Sequence, residues 1–171
     1  MQQERSQAAS SLGEAGFGRA DVPRTGFARA GFGPAWLALT VAFALHVLDE
    51  AATGFLNIYN PTVLAMRGRL GWFLMPTFEF REWLFGLIAA VVLCFALTPV
   101  AAHNARWLRP LAWFYALIML FNSVGHTAVT ILGHTVANVS VARPAPGFYS
   151  SPFIFIGSIW LMVSLVRTTR E

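Results

Sequence analysis

The stretch A-G-F-G-P-A-W-L-A-L-T-V-A-F-A-L-H-V-L, from Ala30 to Leu48, contains no side chain with a fixed charge. A helix needs about 20 predominantly apolar residues to cross the hydrocarbon core of a bilayer. Asp49 and Glu50 interrupt the stretch, and apolar sequence then resumes. We place a first transmembrane span at Pro34 to Leu56, because proline is well tolerated in the first turn of a helix.

Three further apolar stretches are long enough to span a membrane. The second span is centred on L-F-G-L-I-A-A-V-V-L-C-F-A-L, and residues 57–81 before it are too polar and too interrupted by Gly and Pro to cross. The three spans lie at Glu79 to Ala101, Pro110 to Gly133 and Ser151 to Val166. The predicted fold is all-α, a polytopic membrane protein with four transmembrane helices in an antiparallel bundle. An interfacial segment joins the first and second helices.

Composition excludes an ordinary soluble domain and a nucleic-acid-binding protein. Of the residues, 56% are hydrophobic and 12% are charged, against about 25% charged residues in soluble domains. The basic residues are all arginine and are scattered between apolar runs, where positive charge sets membrane topology. The single cysteine, Cys94, provides neither a disulfide framework nor a thiolate metal site. The expected partner is therefore the lipid bilayer.

The distribution of arginine predicts the orientation of the chain. Residues 1–30 are rich in Gly, Ala, Ser, Gln and Arg, which predicts a disordered cytosolic tail, whereas residues 31–171 form the transmembrane domain. With both termini inside, the inner arginines outnumber the outer ones, which favours an N-in, C-in protein of the cell membrane. The inner set is Arg5, Arg19, Arg24, Arg29, Arg106, Arg109, Arg167 and Arg170, and the outer set is Arg67, Arg69, Arg81 and Arg143.

The motif H-V-L-D-E places ionisable side chains inside the first span. Residues three and four apart share one face of a helix, so His46 lies over both Asp49 and Glu50. In the third span, Asn122 and His126 are four residues apart. The first and third spans cross the membrane in the same direction, because one span separates them. Both polar stripes lie in the later half of their span, so they fall in the same, outer half of the membrane.

The other two spans also have polar residues at this end. Glu79 and Glu82 lie in the first turns of the second span, and Ser150 and Ser151 lie at the outer end of the fourth. The two glutamates have an alternative role, because acidic residues stabilise the N-terminus of a helix.

Ionisable groups at this depth are costly and usually functional. A carboxylate at the centre of a span costs about 2.5–3.5 kcal/mol, so Asp49 and Glu50 need a proton, water or a cation. Imidazole together with carboxylate suits a divalent metal such as Zn, Fe or Mn. The predicted metal ligands are His46, His126, Asp49 and Glu50. An acid outside the ligand set would handle protons, and Asn122 would orient a lipid-like or extracytoplasmic small-molecule substrate.

Three segments of the chain resemble the HXXEE-motif family of small bacterial membrane proteins. They are H-V-L-D-E in the first span, F-N-S-V-G-H in the third and P-G-F-Y-S before the fourth, and the resemblance covers about residues 34–166. Asp49 stands where the motif has its first glutamate. This difference keeps the carboxylate but makes the side chain one methylene shorter. The resemblance implies at most a metal-dependent or acid–base enzyme. Its motif residues here are His46, Asp49, Glu50, Asn122, His126, Pro146 and Gly147.

Two other classes of function use the same residues. In a proton- or ion-coupled carrier, the histidines and acids would form a relay, although the sequence has no inverted repeat of broken helices. In a structural membrane protein, the cluster would only hold the helices together. The observation that would discriminate most is whether His46, Glu50 and His126 converge within metal-ligand distance and face a cavity. Without that convergence, both the enzyme and the carrier would lose support.

Overall fold

The structure, a computed structural model, describes residues 31–169, and the predicted disordered tail at residues 1–30 lies outside them. The described chain forms six α-helices, with a short 3-10 turn at Arg106–Leu108 before the fifth. They are α1 (Gly33–Thr53), α2 (Leu56–Arg69), α3 (Phe80–Ala96), α4 (Thr98–Ala102), α5 (Arg109–Leu132) and α6 (Ser151–Thr169). Four helical stretches are long and apolar enough to span a membrane: α1, α3 with α4, the turn with α5, and α6. The predicted all-α fold with four spans is confirmed.

Glycine and glutamate set the ends of these helices where the sequence signals them. Gly54 and Gly133 adopt left-handed backbone conformations, with φ of 77° and 76°, and terminate α1 and α5. The first span therefore ends three residues before the predicted Leu56. At the start of α3, Glu79 and Glu82 form a capping box, which satisfies backbone N–H groups that have no partner within the helix. Helix capping, the alternative role of these two glutamates, is thus the one observed.

The most deeply buried helix is α1, which packs against α3, α6 and α5. Its inward face includes Trp36 and Leu39, and Gly157 of α6 lets Leu39 approach the backbone of its neighbour closely. Small residues permit such close helix packing in membranes. In contrast, few residues of α3 are buried, so most of its apolar surface faces outward, as expected for a helix in contact with lipid.

The segment between the first two spans is more regular than the sequence predicted. Helix α2 contains Pro61 in its second turn, where the missing N–H removes one hydrogen bond of the helix. After α2, the extended residues 70–79 fold back on it. Asn60 exchanges hydrogen bonds of 2.9 and 3.1 Å with the backbone of Phe78, and the Tyr59 hydroxyl donates to Pro76 O.

The loop from Gly133 to Ser150 closes the end of the bundle at which α1 and α5 finish, which we call the loop end. Backbone hydrogen bonds join Thr135 to Val139 and Val141 to Gly133. Helix α2 is attached to this loop, because the Arg69 guanidinium donates to Ala137 O at 3.2 Å. Toward α6 the loop turns inward, and its residues 145–147 are buried.

Candidate metal centre

Three ligand-type atoms from two transmembrane helices meet in the interior near the loop end. His46 and Glu50 lie one turn apart on α1, and His126 projects from α5. The Oε1 atom of Glu50 lies 3.4 Å from His46 Nε2 and 3.0 Å from His126 Nε2. The three side chains are 0–8% exposed, so little water can reach their polar atoms to form hydrogen bonds with them.

These separations suit ligands of one metal ion. Zinc bonds of 2.0–2.1 Å in tetrahedral geometry put neighbouring ligand atoms about 3.3 Å apart. Although His126 Nε2 is 3.0 Å from the carboxylate of Glu50, it has no hydrogen-bond partner of acceptable geometry among the described residues. A cation between two imidazoles and a carboxylate would account for a short contact that is not a hydrogen bond. The residues therefore fit a divalent metal.

Hydrogen bonds fix the tautomer of His46. The amide nitrogen of Asn122 lies 2.8 Å from His46 Nε2, and because an amide N–H only donates, Nε2 carries a lone pair. The proton of the neutral ring is then on Nδ1, which lies 2.7 Å from Ser150 Oγ. A neutral imidazole with its lone pair on Nε2 is the form that binds a metal, and a metal at His46 would take the place of the Asn122 N–H as the partner of that lone pair.

Asp49 lies outside this set of ligand atoms. Its Oδ2 atom accepts hydrogen bonds from Ser150 Oγ at 2.7 Å and from Ser150 N–H at 2.9 Å. Asp49 thus reaches His46 through a serine hydroxyl. Metal-ligating histidines usually donate their second N–H to a carboxylate or a carbonyl, and here Ser150 relays that interaction. The sequence predicted Asp49 as one of the metal ligands, but in the structure its carboxylate accepts hydrogen bonds from Ser150.

The loop before α6 packs over both imidazoles at Gly147. This residue has φ of 78°, and a Cβ atom built there would lie 2.8 Å from His126 Cε1 and 2.9 Å from His46 Cε1. Its carbonyl oxygen accepts a 2.7 Å hydrogen bond from Ser151 Oγ. Only glycine allows the backbone this close, so the P-G-F-Y-S segment forms part of the wall of the site.

Asn122 stands where the cluster opens onto a cavity of about 260 Å³. The cavity extends from Asn122 and His126 to the loop end, where Thr62 and Thr135 line it. A molecule entering it would meet the Asn122 amide beside the ligand atoms. This position suits the predicted role of Asn122 in orienting a substrate, which stays a prediction.

Two polar residues near the loop end, Thr53 and His134, lie outside the cluster. The Thr53 hydroxyl donates to Asp49 O within α1, and His134 lies in the loop, where it pairs with Ser140. Conversely, sequence reasoning assigned no role to Ser150. Its only sequence signal was its place at the loop end of the fourth span, because its partner His46 is 104 positions away.

Comparisons with known proteins identify no relative of this chain. Nothing matches the chain among family models, curated proteins or solved structures. The resemblance to the HXXEE-motif family therefore stays a prediction, and the case for function depends on the geometry of the cluster.

Proposed function

We propose that this chain is a membrane-embedded, metal-dependent enzyme of the hydrolase type, in which His46, Glu50 and His126 hold a divalent metal. The observation that carries the proposal is the convergence of two imidazole Nε2 atoms on one buried carboxylate oxygen. Two histidines with one acid form a ligand set of catalytic zinc sites, which keep a position open for water. Zinc is the first candidate, and iron and manganese accept the same ligand types.

The surrounding residues suit this chemistry. A divalent metal in the set would lower the pKa of a bound water and thereby supply a nucleophile. Asn122 lies between the ligand atoms and the cavity, where it would orient the reacting group. Asp49 is the acid outside the ligand set, and the Ser150 hydroxyl connects it to His46. Asp49 would therefore hold His46 in its ligating tautomer and accept a proton through Ser150.

The setting of the site restricts the substrate to molecules that can enter the membrane domain. The cluster is built on two of the apolar helices, and its cavity leads to the loop end. The arginine count predicts that this end faces the outside of the cell membrane. The substrate we propose is lipid-like, or a small molecule that arrives from that side.

Metal analysis of the purified protein tests the proposal. Protein extracted in mild detergent should carry about one divalent ion per chain, measured by elemental analysis for zinc, iron and manganese. The double variant His46→Ala, His126→Ala should lose the ion. His134→Ala is the matched control, because His134 is an exposed histidine of the loop, and it should retain the ion.

Two results would overturn the metal site: wild-type protein without a metal, or equal metal in the double variant and in wild type. Enzyme activity needs a second test with a panel of long-chain esters and amides. Hydrolysis should stop when a chelator removes the metal and should return when zinc is restored.

A further inference from the structure

An apolar groove leads from the cluster toward the other end of the bundle, between α1, α3 and α5. Its first part is a cavity of about 430 Å³ that includes Glu50 and Asn122. Its second part is a cavity of about 210 Å³ further along the same helices. Both parts are lined by Phe43, Ile118 and Met119, so the two cavities adjoin, and we call them together the groove.

The lining of this groove changes from polar to apolar with distance from the cluster. Glu50 and Asn122 border its first part, and the rest of its wall is aliphatic or aromatic apart from the Cys94 thiol and the Tyr115 hydroxyl. From Asn122 to Leu111 the groove follows eleven residues of α5, which is about 16 Å of helix. Half of a bilayer's hydrocarbon core is about 15 Å thick. The groove thus has the length and the polarity of one lipid hydrocarbon chain.

The loop-end cavity continues the groove on the opposite side of Asn122. Both spaces are lined by Phe55, Phe121 and Asn122. The loop-end cavity also has hydroxyl groups on its wall, from Tyr59, Thr62 and Thr135. An elongated molecule lying through both spaces would have one polar and one apolar end, with its middle beside Glu50 and His126.

We propose that the substrate is a long-chain amphiphile whose single hydrocarbon chain occupies this groove and whose polar part occupies the loop-end cavity. This inference rests on the proposed function, because it names the substrate class of that site. The group between chain and polar part would lie beside the metal ligands. A short polar substrate would leave the groove empty, whereas a molecule with a long chain is positioned along its whole length.

Photolabelling in a bilayer tests the groove directly. The full-length protein is reconstituted in phosphatidylcholine vesicles with a fatty acid that carries a diazirine in the middle of its chain. Labelled residues are then located by mass spectrometry. We expect labelling to concentrate on groove residues such as Ile118 and Met119. The variant Ala90→Trp places a large ring in the groove and should lose this labelling.

The control is Ala89→Trp, the same substitution one residue earlier on α3, where the side chain is exposed and lies outside the groove. It should keep the wild-type pattern. Ala90→Phe serves as a second groove-filling variant if the tryptophan variant does not fold. Labelling spread evenly over the exposed faces of α3, α5 and α6, or labelling that either folded groove-filling variant leaves unchanged, would overturn the proposal.

Metal content separates failure of the groove from failure of the metal site. The groove-filling variants should bind zinc as wild type does, because Ala90 lines the second part of the groove, which none of the three proposed ligands lines. The variant His46→Ala, His126→Ala should still be labelled in the groove. Wild-type protein that has no metal but is labelled in the groove would contradict the proposed enzyme and support a lipid-binding groove. Wild-type protein that binds metal but is labelled evenly would contradict the groove alone.

Discussion

His46 Nδ1 lies 2.7 Å from Ser150 Oγ, although the two residues are 104 positions apart in the chain. The same hydroxyl donates to Asp49 at 2.7 Å. The Asp49 carboxylate of α1 is therefore connected to a histidine of the same helix through Ser150, the residue that immediately precedes α6. This arrangement joins α1 to α6 and orients the ring that faces Glu50.

Replacing Ser150 with alanine should weaken metal binding without removing it. The variant loses the hydrogen bond that orients His46, and such changes next to a metal ligand typically cost about 10–100-fold in affinity. Zinc affinity is measured by competition with a chromogenic chelator. Ser150→Thr keeps the hydroxyl and should restore most of the affinity.

Ser158→Ala is the matched control for Ser150. Ser158 is buried in α6, the helix that Ser150 immediately precedes, and its hydroxyl has no hydrogen-bond partner among the described residues. Removing it should leave zinc affinity unchanged. An affinity for Ser150→Ala equal to that of wild type would show that the serine does not transmit the effect of Asp49.

The two adjacent acids should respond differently to neutralisation. Glu50→Gln removes a charged ligand from between two imidazoles, so we expect loss of the metal. Asp49→Asn keeps a group that can accept hydrogen bonds from Ser150, and it should lower metal affinity while the ion stays bound. Elemental analysis of the metal content of both variants distinguishes the ligand, Glu50, from the supporting acid, Asp49. Retained metal in Glu50→Gln together with loss in Asp49→Asn would reverse the assignment.

Gly147→Ala should both destabilise the fold and disturb the site. A left-handed conformation costs a residue with a Cβ about 1–2 kcal/mol, and the added carbon would also press on the rings of His46 and His126. Thermal unfolding in detergent should occur at a lower temperature, with weaker zinc binding. Gly86→Ala is the control, because a Cβ there meets no atom within 4 Å, and alanine in mid-helix is favoured over glycine by about 0.5–1 kcal/mol.

The four spans and their order were predictable because apolar length alone indicates a membrane helix. The pairing of His46 with His126 was predictable in part, because the first and third spans run in the same direction and their later halves therefore lie in the same leaflet. Helical spacing also placed Glu50 below His46. What spacing did not decide was which acid faces His126. Asp49 and Glu50 are both within reach of His46, and their different partners depend on how α5 and α6 pack around α1.

The contribution of Ser150 and Gly147 to the cluster was not predictable from the local sequence pattern. Both lie at the end of a loop whose path depends on tertiary contacts, including the hydrogen bond from Arg69 to Ala137. The regularity of α2 was missed for a similar reason. Pro61 indicates a break, but hydrogen bonds from Asn60 to the segment that follows stabilise the helix.

Because Arg69 attaches α2 to the loop, the variant Arg69→Ala should have a more mobile loop. The guanidinium of Arg69 donates to the carbonyls of Val136 and Ala137, so its loss should allow the loop to open more often. Hydrogen exchange followed by mass spectrometry should show faster exchange in residues 134–141. Arg67→Ala is the control, because Arg67 donates to Met75 instead and should leave exchange in the loop unchanged.

The orientation of the bundle can be measured with single introduced cysteines. Cys94 is the only cysteine in the chain, so a Cys94→Ala background has none. Val136 at the loop end is 80% exposed and Trp107 at the other end is 65% exposed, which makes both suitable positions. If the N-terminus is inside, a membrane-impermeant maleimide should label Val136→Cys in intact cells and Trp107→Cys only after permeabilisation. The reverse pattern would place the loop end in the cytosol and would require any substrate of the site to come from the inner leaflet or the cell interior.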